Sequence, residues 1–354
     1  MPKTLMCDRR LLAKDLAGRI YLVTGANSGA GLATMRQLVR QGAHVVAGCR
    51  RVAAGEEAIR SSSAAHGSVS THGSVSTHGS ASTHGSASTH GSASALGSTA
   101  ARGSAEVIEL DLGSLASVRR FAETFLARHS RLDGLVNNAG VMSTPEGRTK
   151  DGFETQFGTN HLGHFLLTEL LLPTLKASAP SRIVCVSSVA HVGRRGGGEI
   201  YWDDLHFERR PYNPTEAYSQ SKLANVLHAL HLSKRLEGTG VTAVSLHPGW
   251  IRSNLVKHMA PTWVQNIVMR PLSGPLGMLS IEEGAQTTLH CLLDDDVPNH
   301  SGEYYSQNSI LYPRKSDRAG GWPMVSPNPN ARDAKQAARL HELSMRLVGL
   351  SGAE

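Results

Sequence analysis

The feature that most constrains the fold of this chain is the regular alternation of short apolar runs with longer segments of helical periodicity. Six apolar runs read as strands, at residues 19–24, 44–48, 105–110, 132–136, 182–186 and 241–246. Helical patterns follow them, and the last one ends near residue 347. Such alternation is typical of parallel strands joined by crossover helices. The sequence therefore predicts an α/β fold, a single domain over 19–347 built on a doubly wound parallel sheet.

A glycine-rich turn joins the first predicted strand to the first helix. It reads Gly25-Ala-Asn-Ser-Gly29-Ala-Gly31, so its spacing is GxxxGxG. Glycines allow a tight turn and a close approach of the backbone to a pyrophosphate, whose charge is favoured at a helix N-terminus. A strand, a glycine turn and a helix in this order predict a Rossmann-type dinucleotide site. A glycine-rich loop without a ligand is the alternative.

The residues after the second strand bear on the choice of cofactor. A cofactor without a 2′-phosphate usually meets an acidic residue there. This chain instead has Arg50 and Arg51. Two guanidinium groups suit a 2′-phosphate, so the sequence favours NADP(H) over NAD(H). The alternative is that both arginines begin the next helix in solvent.

Tyr218 and Lys222 lie four residues apart at the start of a predicted helix, and therefore on one helix face. An ammonium close to a phenol favours the phenolate and is expected to lower the pKa of the tyrosine from about 10. Such a tyrosine can act as a general acid or base near neutral pH. A surface tyrosine beside a solvated lysine is the alternative reading of this pair.

Two segments stand outside the alternating pattern. Residues 61–104 form a low-complexity insertion of Ser, Thr, His and Gly, with a hexapeptide repeat that places histidines at 66, 72, 78, 84 and 90. Too few apolar side chains are present to offset the ordering entropy, so we predict a disordered spacer. Weak zinc or nickel binding by these histidines is the alternative; no resident metal is expected. Residues 1–18 are predicted to be an N-terminal extension.

Composition narrows the partners and the compartment. The four cysteines show no metal-binding spacing and read as free thiols of a reducing compartment, so a cytoplasmic protein is expected. A net charge of +7 suggests an anionic partner. The basic residues are scattered and no reader motif occurs, so nucleic acid is not expected. No apolar run is long enough to span a membrane, although peripheral contact with an intracellular membrane stays open.

Five motifs occur in order: TGANSGAG at 24–31, LDL at 110–112, NNAG at 137–140, VSS at 186–188 and YSQSK at 218–222. With them the chain resembles the short-chain dehydrogenase/reductase family over residues 19–310, the insertion excepted. The chain is similar to the retinol dehydrogenase branch in two segments, TNHLGHFLLT at 159–168 and YSQSKLANVL at 218–227. The chain has Ala30 where the family usually has isoleucine, and Ser253 where the family usually has threonine.

The resemblance implies a role for each matching residue. Tyr218 would be the acid/base, Lys222 would lower its pKa and hold the nicotinamide ribose, Ser188 would bind the substrate oxygen, and Asn160 would anchor a proton-relay water. The phosphates of the cofactor would be held at the turn formed by Gly25, Ser28, Gly29 and Gly31. Its adenine end would be bordered by Asp111, Asn138, Ala139 and Gly140. Its nicotinamide end would be held by Pro248, Gly249, Ile251 and Ser253.

The function expected from these residues is NADP(H)-dependent interconversion of an alcohol and an aldehyde or ketone. The apolar, proline-broken stretch 259–281 is a candidate lid over a small lipophilic substrate such as retinol or retinal, or else a packed excursion of the core. Broad carbonyl or steroid reduction is an alternative specificity. A cofactor-binding scaffold or redox sensor with little turnover is an alternative of another class. The resemblance also implies a homo-oligomer.

Overall fold

A computed structural model describes residues 4–64, 103–193, 197–251, 278–307 and 321–350. Its centre is a seven-stranded sheet with strand order β3-β2-β1-β4-β5-β6-β7, in which every neighbouring pair is parallel. The order reverses between β1 and β4, which is where open sheets of this type bind ligands. The sheet confirms the predicted doubly wound fold. Its strands are β1 Ile20–Thr24, β2 His44–Cys49, β3 Ser104–Glu109, β4 Gly134–Asn137, β5 Ser181–Val186, β6 Val241–His247 and β7 Tyr304–Ser306.

Helices cover both faces of the sheet. One helical segment has three parts: a single turn at Thr155–Phe157, a π-helical turn at Gly158–Leu162, and a long helix from Gly163. The helices are α1 Gly29–Arg40, α2 Val52–Ala64, α3 Leu115–Arg128, α4 Gly163–Ala177, α5 Pro214–Arg235, α6 Ile281–Leu293 and α7 Ala334–Leu347, with 3₁₀ turns at Leu11–Ala13, Val189–Val192, Val297–His300 and Pro329–Arg332.

Alternate residues of each strand face opposite sides, so the sheet separates two cores. On one side Leu22 and Leu135 pack with α3, α4, α5 and α7. On the other side Val23 and Val136 pack with α1, α2 and α6. The central strands are buried on both faces, which explains why they read as continuous apolar runs rather than as alternating ones.

The predicted N-terminal extension packs against the domain where it is described. Leu11 and Leu16 are buried in the second core, and the Gln41 side chain donates to the carbonyl of Leu11 at 2.8 Å. The Cys7 amide donates to Gln286 Oε1 at 3.2 Å. Residues 65–102 of the insertion and 259–277 of the candidate lid lie outside the described residues.

The four cysteine thiols are buried and unbridged. None of the described helices is both long enough and apolar enough to cross a membrane.

Candidate active site

The predicted site residues converge at the carboxyl ends of β1, β4, β5 and β6. The helix that carries Tyr218 is fixed there by its own first turn. Asn213 caps α5 by accepting hydrogen bonds from the amides of Thr215 and Glu216, and Pro214 occupies the first helical position. Further along α5, the Lys222 carbonyl accepts from Ser187 Oγ at 2.7 Å, and Asn225 Nδ2 donates to the Val186 carbonyl at 3.0 Å. These bonds tie α5 to the end of β5.

Tyr218 and Lys222 are both buried, with exposures of 8% and 4%. The Lys222 ammonium lies 5.7 Å from the centroid of the Tyr218 ring and donates to the Val186 carbonyl at 3.1 Å. The predicted lowering of the tyrosine pKa is not found: burial raises the pKa of Tyr218 to about 12, although its hydrogen bond with Ser188 opposes the rise. Burial also lowers the pKa of Lys222 to about 8.

Ser188 lies two residues beyond β5 and is the N-cap of the 3₁₀ turn Val189–Val192. Its Oγ accepts from the Ala190 amide at 3.2 Å, which fixes the side chain at the N-cap of that turn. The same hydroxyl is the hydrogen-bond partner of the Tyr218 phenol. Ser188 and Tyr218 together can therefore address a single oxygen atom of a bound molecule.

Asn160 lies in the π-helical turn Gly158–Leu162 and is fully buried. Its amide makes a paired contact with Val141, accepting from the amide at 2.8 Å and donating to the carbonyl at 2.9 Å. Asn160 Nδ2 also donates to Ser221 Oγ at 3.0 Å. Such π-turns inside helices occur frequently at functional sites. Here the turn links Asn160 to α5, one residue from Lys222.

The glycine turn after β1 has the close backbone approach that its sequence predicts. Gly25 and Gly29 adopt the left-handed region with φ of 69° and 59°. A Cβ added at Gly31 would lie 2.5 Å from Asn138 Nδ2 and 2.8 Å from the Gly25 carbonyl. Ser28 is the N-cap of α1, and its side chain makes no capping bond. The first amides of α1 therefore remain available at the helix N-terminus.

Thr24 and His164 join the glycine turn to Asn160, and sequence reasoning did not assign either residue. Thr24 Oγ1 accepts from the amides of Asn138 and Ala139, both at 2.9 Å. His164 Nδ1 faces the Asn160 carbonyl at 3.0 Å and must donate to it, so Nε2 accepts from Thr24 Oγ1 at 2.9 Å. Burial lowers the pKa of His164 to about 4, which keeps this ring neutral.

Gly140 completes the NNAG motif beside the tyrosine helix. A Cβ added to it would lie 3.0 Å from Asn160 Oδ1 and 3.5 Å from Lys222 Nζ. Asp111 lies two residues beyond β3, where it accepts from Lys150 Nζ at 3.1 Å and from the Gly113 amide at 3.1 Å.

Arg50 and Arg51 form the bend between β2 and α2, and both are exposed. They precede α2, which begins at Val52. Neither guanidinium has an ion pair or hydrogen bond with another residue that the structure describes. Two cationic groups are thus available on the glycine-turn side of the sheet.

Beyond β6, the chain passes through Pro248 to Gly249, whose φ is 95°. A Cβ there would lie 2.4 Å from the Leu279 side chain, so only glycine fits. Ile251 forms an isolated parallel bridge with Leu279, which brings together the two ends of the stretch that holds the candidate lid. Ser253 lies outside the described residues.

The chain is similar in sequence to known dehydrogenases. The short chain dehydrogenase family model matches residues 83–202. Human retinol dehydrogenase 12 is 40% identical over 336 residues, which cover 95% of this chain and 88% of that protein. Mouse retinol dehydrogenase 14 is 40% identical over 339 residues, which cover 94% of this chain and 86% of that protein.

Solved structures share the fold. A Mycobacterium paratuberculosis protein superposes with a TM-score of 0.65 at 34% identity, covering 95% of this chain and 96% of that one. The RhlG/NADP active-site complex of Pseudomonas aeruginosa superposes with a TM-score of 0.57 at 24% identity, covering 82% of this chain and 95% of that one. At that lower identity the likeness concerns the fold alone.

Proposed function

The chain belongs to the short-chain dehydrogenase family and is a retinol dehydrogenase-like oxidoreductase acting on CH–OH donors, and from this premise we propose that it uses NADP(H) to interconvert a lipophilic alcohol, such as retinol, and its aldehyde or ketone. The observation that carries the proposal is the convergence of Tyr218, Ser188, Lys222 and Asn160 at the strand ends beside the glycine turn. A cofactor-binding scaffold would need the turn but not these four side chains.

We assign the proton transfer to Tyr218. The bound nicotinamide supplies or accepts hydride at the substrate carbon. In reduction the Tyr218 phenol donates its proton to the carbonyl oxygen, and in oxidation it takes the proton back. Ser188, already a partner of the phenol, donates to the same oxygen and stabilises the charge that develops there.

Lys222 and Asn160 support that step. The Lys222 ammonium favours negative charge on the phenol as the proton leaves. Its Nζ also lies 3.5 Å from the position that a Cβ on Gly140 would take, and we assign to it the binding of the nicotinamide ribose. Asn160 holds the Val141 backbone and the Ser221 hydroxyl. It therefore fixes the distance between the NNAG turn and the tyrosine helix.

The preference for NADP(H) rests on Arg50 and Arg51. Both guanidiniums are exposed at the carboxyl end of β2 with no acidic neighbour bound to them in the described part of the chain. A phosphate on the adenine ribose would give them a partner, since guanidinium groups bind phosphate through two parallel hydrogen bonds.

The buried, unbridged cysteine thiols support a reducing compartment such as the cytoplasm.

The test follows NADPH absorbance with purified protein, all-trans-retinal and a panel of small carbonyls, with NADH as the control. We expect oxidation of NADPH with retinal and at least tenfold less with NADH. Replacing Arg50 and Arg51 with alanine should lower kcat/KM for NADPH by about 10- to 100-fold, or roughly 1.4–2.8 kcal/mol, and leave the rate with NADH unchanged. An unchanged NADPH rate in this variant would contradict the arginine assignment.

The Tyr218→Phe variant distinguishes an active enzyme from a cofactor-binding scaffold. The variant keeps the aromatic ring and loses the hydroxyl group that donates the proton, so turnover should fall by at least 10²-fold. NADPH binding, measured by fluorescence, should be retained. Turnover with other carbonyls but none with retinal would remove the retinoid from the proposal and leave the reaction. NADPH binding by the wild-type protein without oxidation of any carbonyl would favour the scaffold.

A further inference from the structure

A second polar cluster lies at the amino ends of the strands, away from the candidate active site. It consists of His44, Glu106 and His129, which offer three ligand atoms within 4.8 Å of one another. We propose that this His–Glu–His cluster is a binding site for a divalent transition-metal ion, with Zn²⁺ as the cation that it fits best. The proposal is independent of the oxidoreductase activity.

The cluster is built on rigid elements. His44 is the first residue of β2, and Glu106 is on β3, paired in register with Val46 two residues further along β2. His129 is the C-cap of α3 and packs against Phe125 of that helix, with ring centroids 5.0 Å apart. Three separate elements therefore direct their side chains toward one point.

The distances suit a zinc ion after a small adjustment. Glu106 Oε1 lies between the two imidazoles, 3.4 Å from His44 Nε2 and 2.6 Å from His129 Nε2. Zinc–ligand bonds of about 2.0–2.2 Å in a tetrahedron separate the ligand atoms by about 3.3 Å. The first distance already has this value, and the second needs to widen by roughly 0.7 Å. The two imidazole nitrogens lie within 4.8 Å of each other, so rotation of the side chains would have to complete the geometry.

Outer contacts hold two of the ligands in place. His44 Nδ1 is hydrogen-bonded to Ser104 Oγ at 2.7 Å, which orients Nε2 toward the cluster centre. Arg128 donates to Glu106 Oε2 at 2.9 Å, so that Oε1 is the carboxylate oxygen that faces the two imidazoles. This division of the two carboxylate oxygens between an outer partner and the centre is common around metal ligands.

The donor set and its exposure favour zinc over calcium or magnesium. Two imidazole nitrogens and one carboxylate oxygen suit zinc and related metals, whereas calcium and magnesium require oxygen ligands. The three side chains are 29%, 25% and 12% exposed for His44, Glu106 and His129. The open side leaves room for water as a fourth ligand. An ion here would join α3 to β2 and β3, so its role would be to stabilise the fold.

The test must separate this site from the five histidines of the repeat. The full-length chain carrying asparagine at 66, 72, 78, 84 and 90 is titrated with Zn²⁺ against a chelating indicator. We expect one tight site per chain and a higher melting temperature with Zn²⁺. Glu106→Gln and His129→Asn should each weaken binding at least tenfold, while His300→Asn, which removes a histidine paired with a single carboxylate, should not.

Two outcomes would overturn the proposal: no stoichiometric binding in the repeat-substituted chain, or Glu106→Gln and His129→Asn variants that bind Zn²⁺ as tightly as the repeat-substituted chain does. If either of these variants fails to fold, Ser104→Ala decides the question, because it keeps all three ligands and removes only the outer contact of His44. It should weaken Zn²⁺ binding by about 10-fold. Turnover with NADPH should be the same in all variants that fold.

Discussion

Burial has opposite effects on the two titrating side chains that the proposed proton transfer uses. It raises the pKa of Tyr218 to about 12, so the phenol is protonated at neutral pH and ready to donate. It lowers the pKa of Lys222 to about 8, so the ammonium loses its proton within the range of ordinary assays. The sequence placed both residues on one helix face but could not reveal their burial, and burial decides the direction of both shifts.

The first prediction concerns the pH dependence of carbonyl reduction. Because the charged form of Lys222 is lost as pH rises through about 8, kcat/KM for the carbonyl should be level below that pH and fall above it, approaching tenfold per unit. The measurement is kcat/KM between pH 6 and 10 at saturating NADPH. In Lys222→Arg the charge persists and the inflection should leave this range, whatever the absolute rate. An inflection that stays in the arginine variant would assign it to another group.

At the scale of elements, the sequence predicted the strands well because the central ones are buried on both faces and therefore largely apolar. β1, β5 and β6 lie within a residue of their predicted bounds. The helix α6 was not predicted, since the prolines and glycines before it favoured an irregular excursion. Its start did carry a signal: Ser280 and Glu283 form a reciprocal capping box.

The π-helical turn and its contacts could not have been predicted from the sequence. The motif TNHLGHF has the period of an ordinary helix. The bonds of Thr24, His164 and Asn160 join β1 to a segment more than a hundred residues away, and such long-range pairing leaves no local pattern. The sequence suggested Asn138 and Ser188 because they come just after apolar strands, and Tyr218 and Lys222 because of their four-residue spacing. Asn160 was suggested by the family resemblance alone.

A second prediction tests the link that His164 makes between β1 and the π-helical turn. In His164→Leu the Asn160 carbonyl and the Thr24 hydroxyl lose their ring partners in a buried site. The Thr24 hydroxyl can donate to the Val136 carbonyl instead, 3.3 Å away. The Asn160 carbonyl is then the group that loses its partner, so the free energy of unfolding should fall by roughly 1–3 kcal/mol. Urea denaturation measures it. His300→Leu, whose side chain is 38% exposed, should cost less than about 1 kcal/mol. Equal losses of unfolding free energy in the two variants would show that the hydrogen bonds of His164 do not stabilise the fold.

At the scale of the whole molecule, the C-terminal helix closes one face through a cluster of histidines. His341 of α7 stacks on His231 of α5 with ring centroids 4.0 Å apart, and His161 Nε2 is hydrogen-bonded to Ser344 at 2.9 Å. His228 lies between them, 5.1 Å from the Phe165 ring, and neither of its nitrogens has a hydrogen-bond partner among the described residues. The last helix is therefore docked through rings that have to stay neutral.

The final prediction follows from this requirement. Burial lowers the pKa of His161 to about 3 and of His341 to about 4, and it holds that of His228 well below its ordinary value. The unfolded chain takes up protons near pH 6.5, whereas the folded chain does not. Stability is therefore fully present above pH 6.5 and is lost as pH falls toward about 4, by about 1.4 kcal/mol per unit for each histidine.

Thermal unfolding between pH 7.5 and 5 measures this loss, in a window that lies above the pKa of the ion-paired carboxylates, such as Glu106 at about 2. His228→Leu removes one buried ring and its two unsatisfied nitrogens. It should reduce the loss between pH 6.5 and 5 by about 2 kcal/mol and should not destabilise the protein at pH 7.5. His300→Leu, whose side chain is 38% exposed, serves as the control and should leave the slope unchanged. If the wild-type protein melts at one temperature across this range, the histidine cluster does not govern the docking of α7.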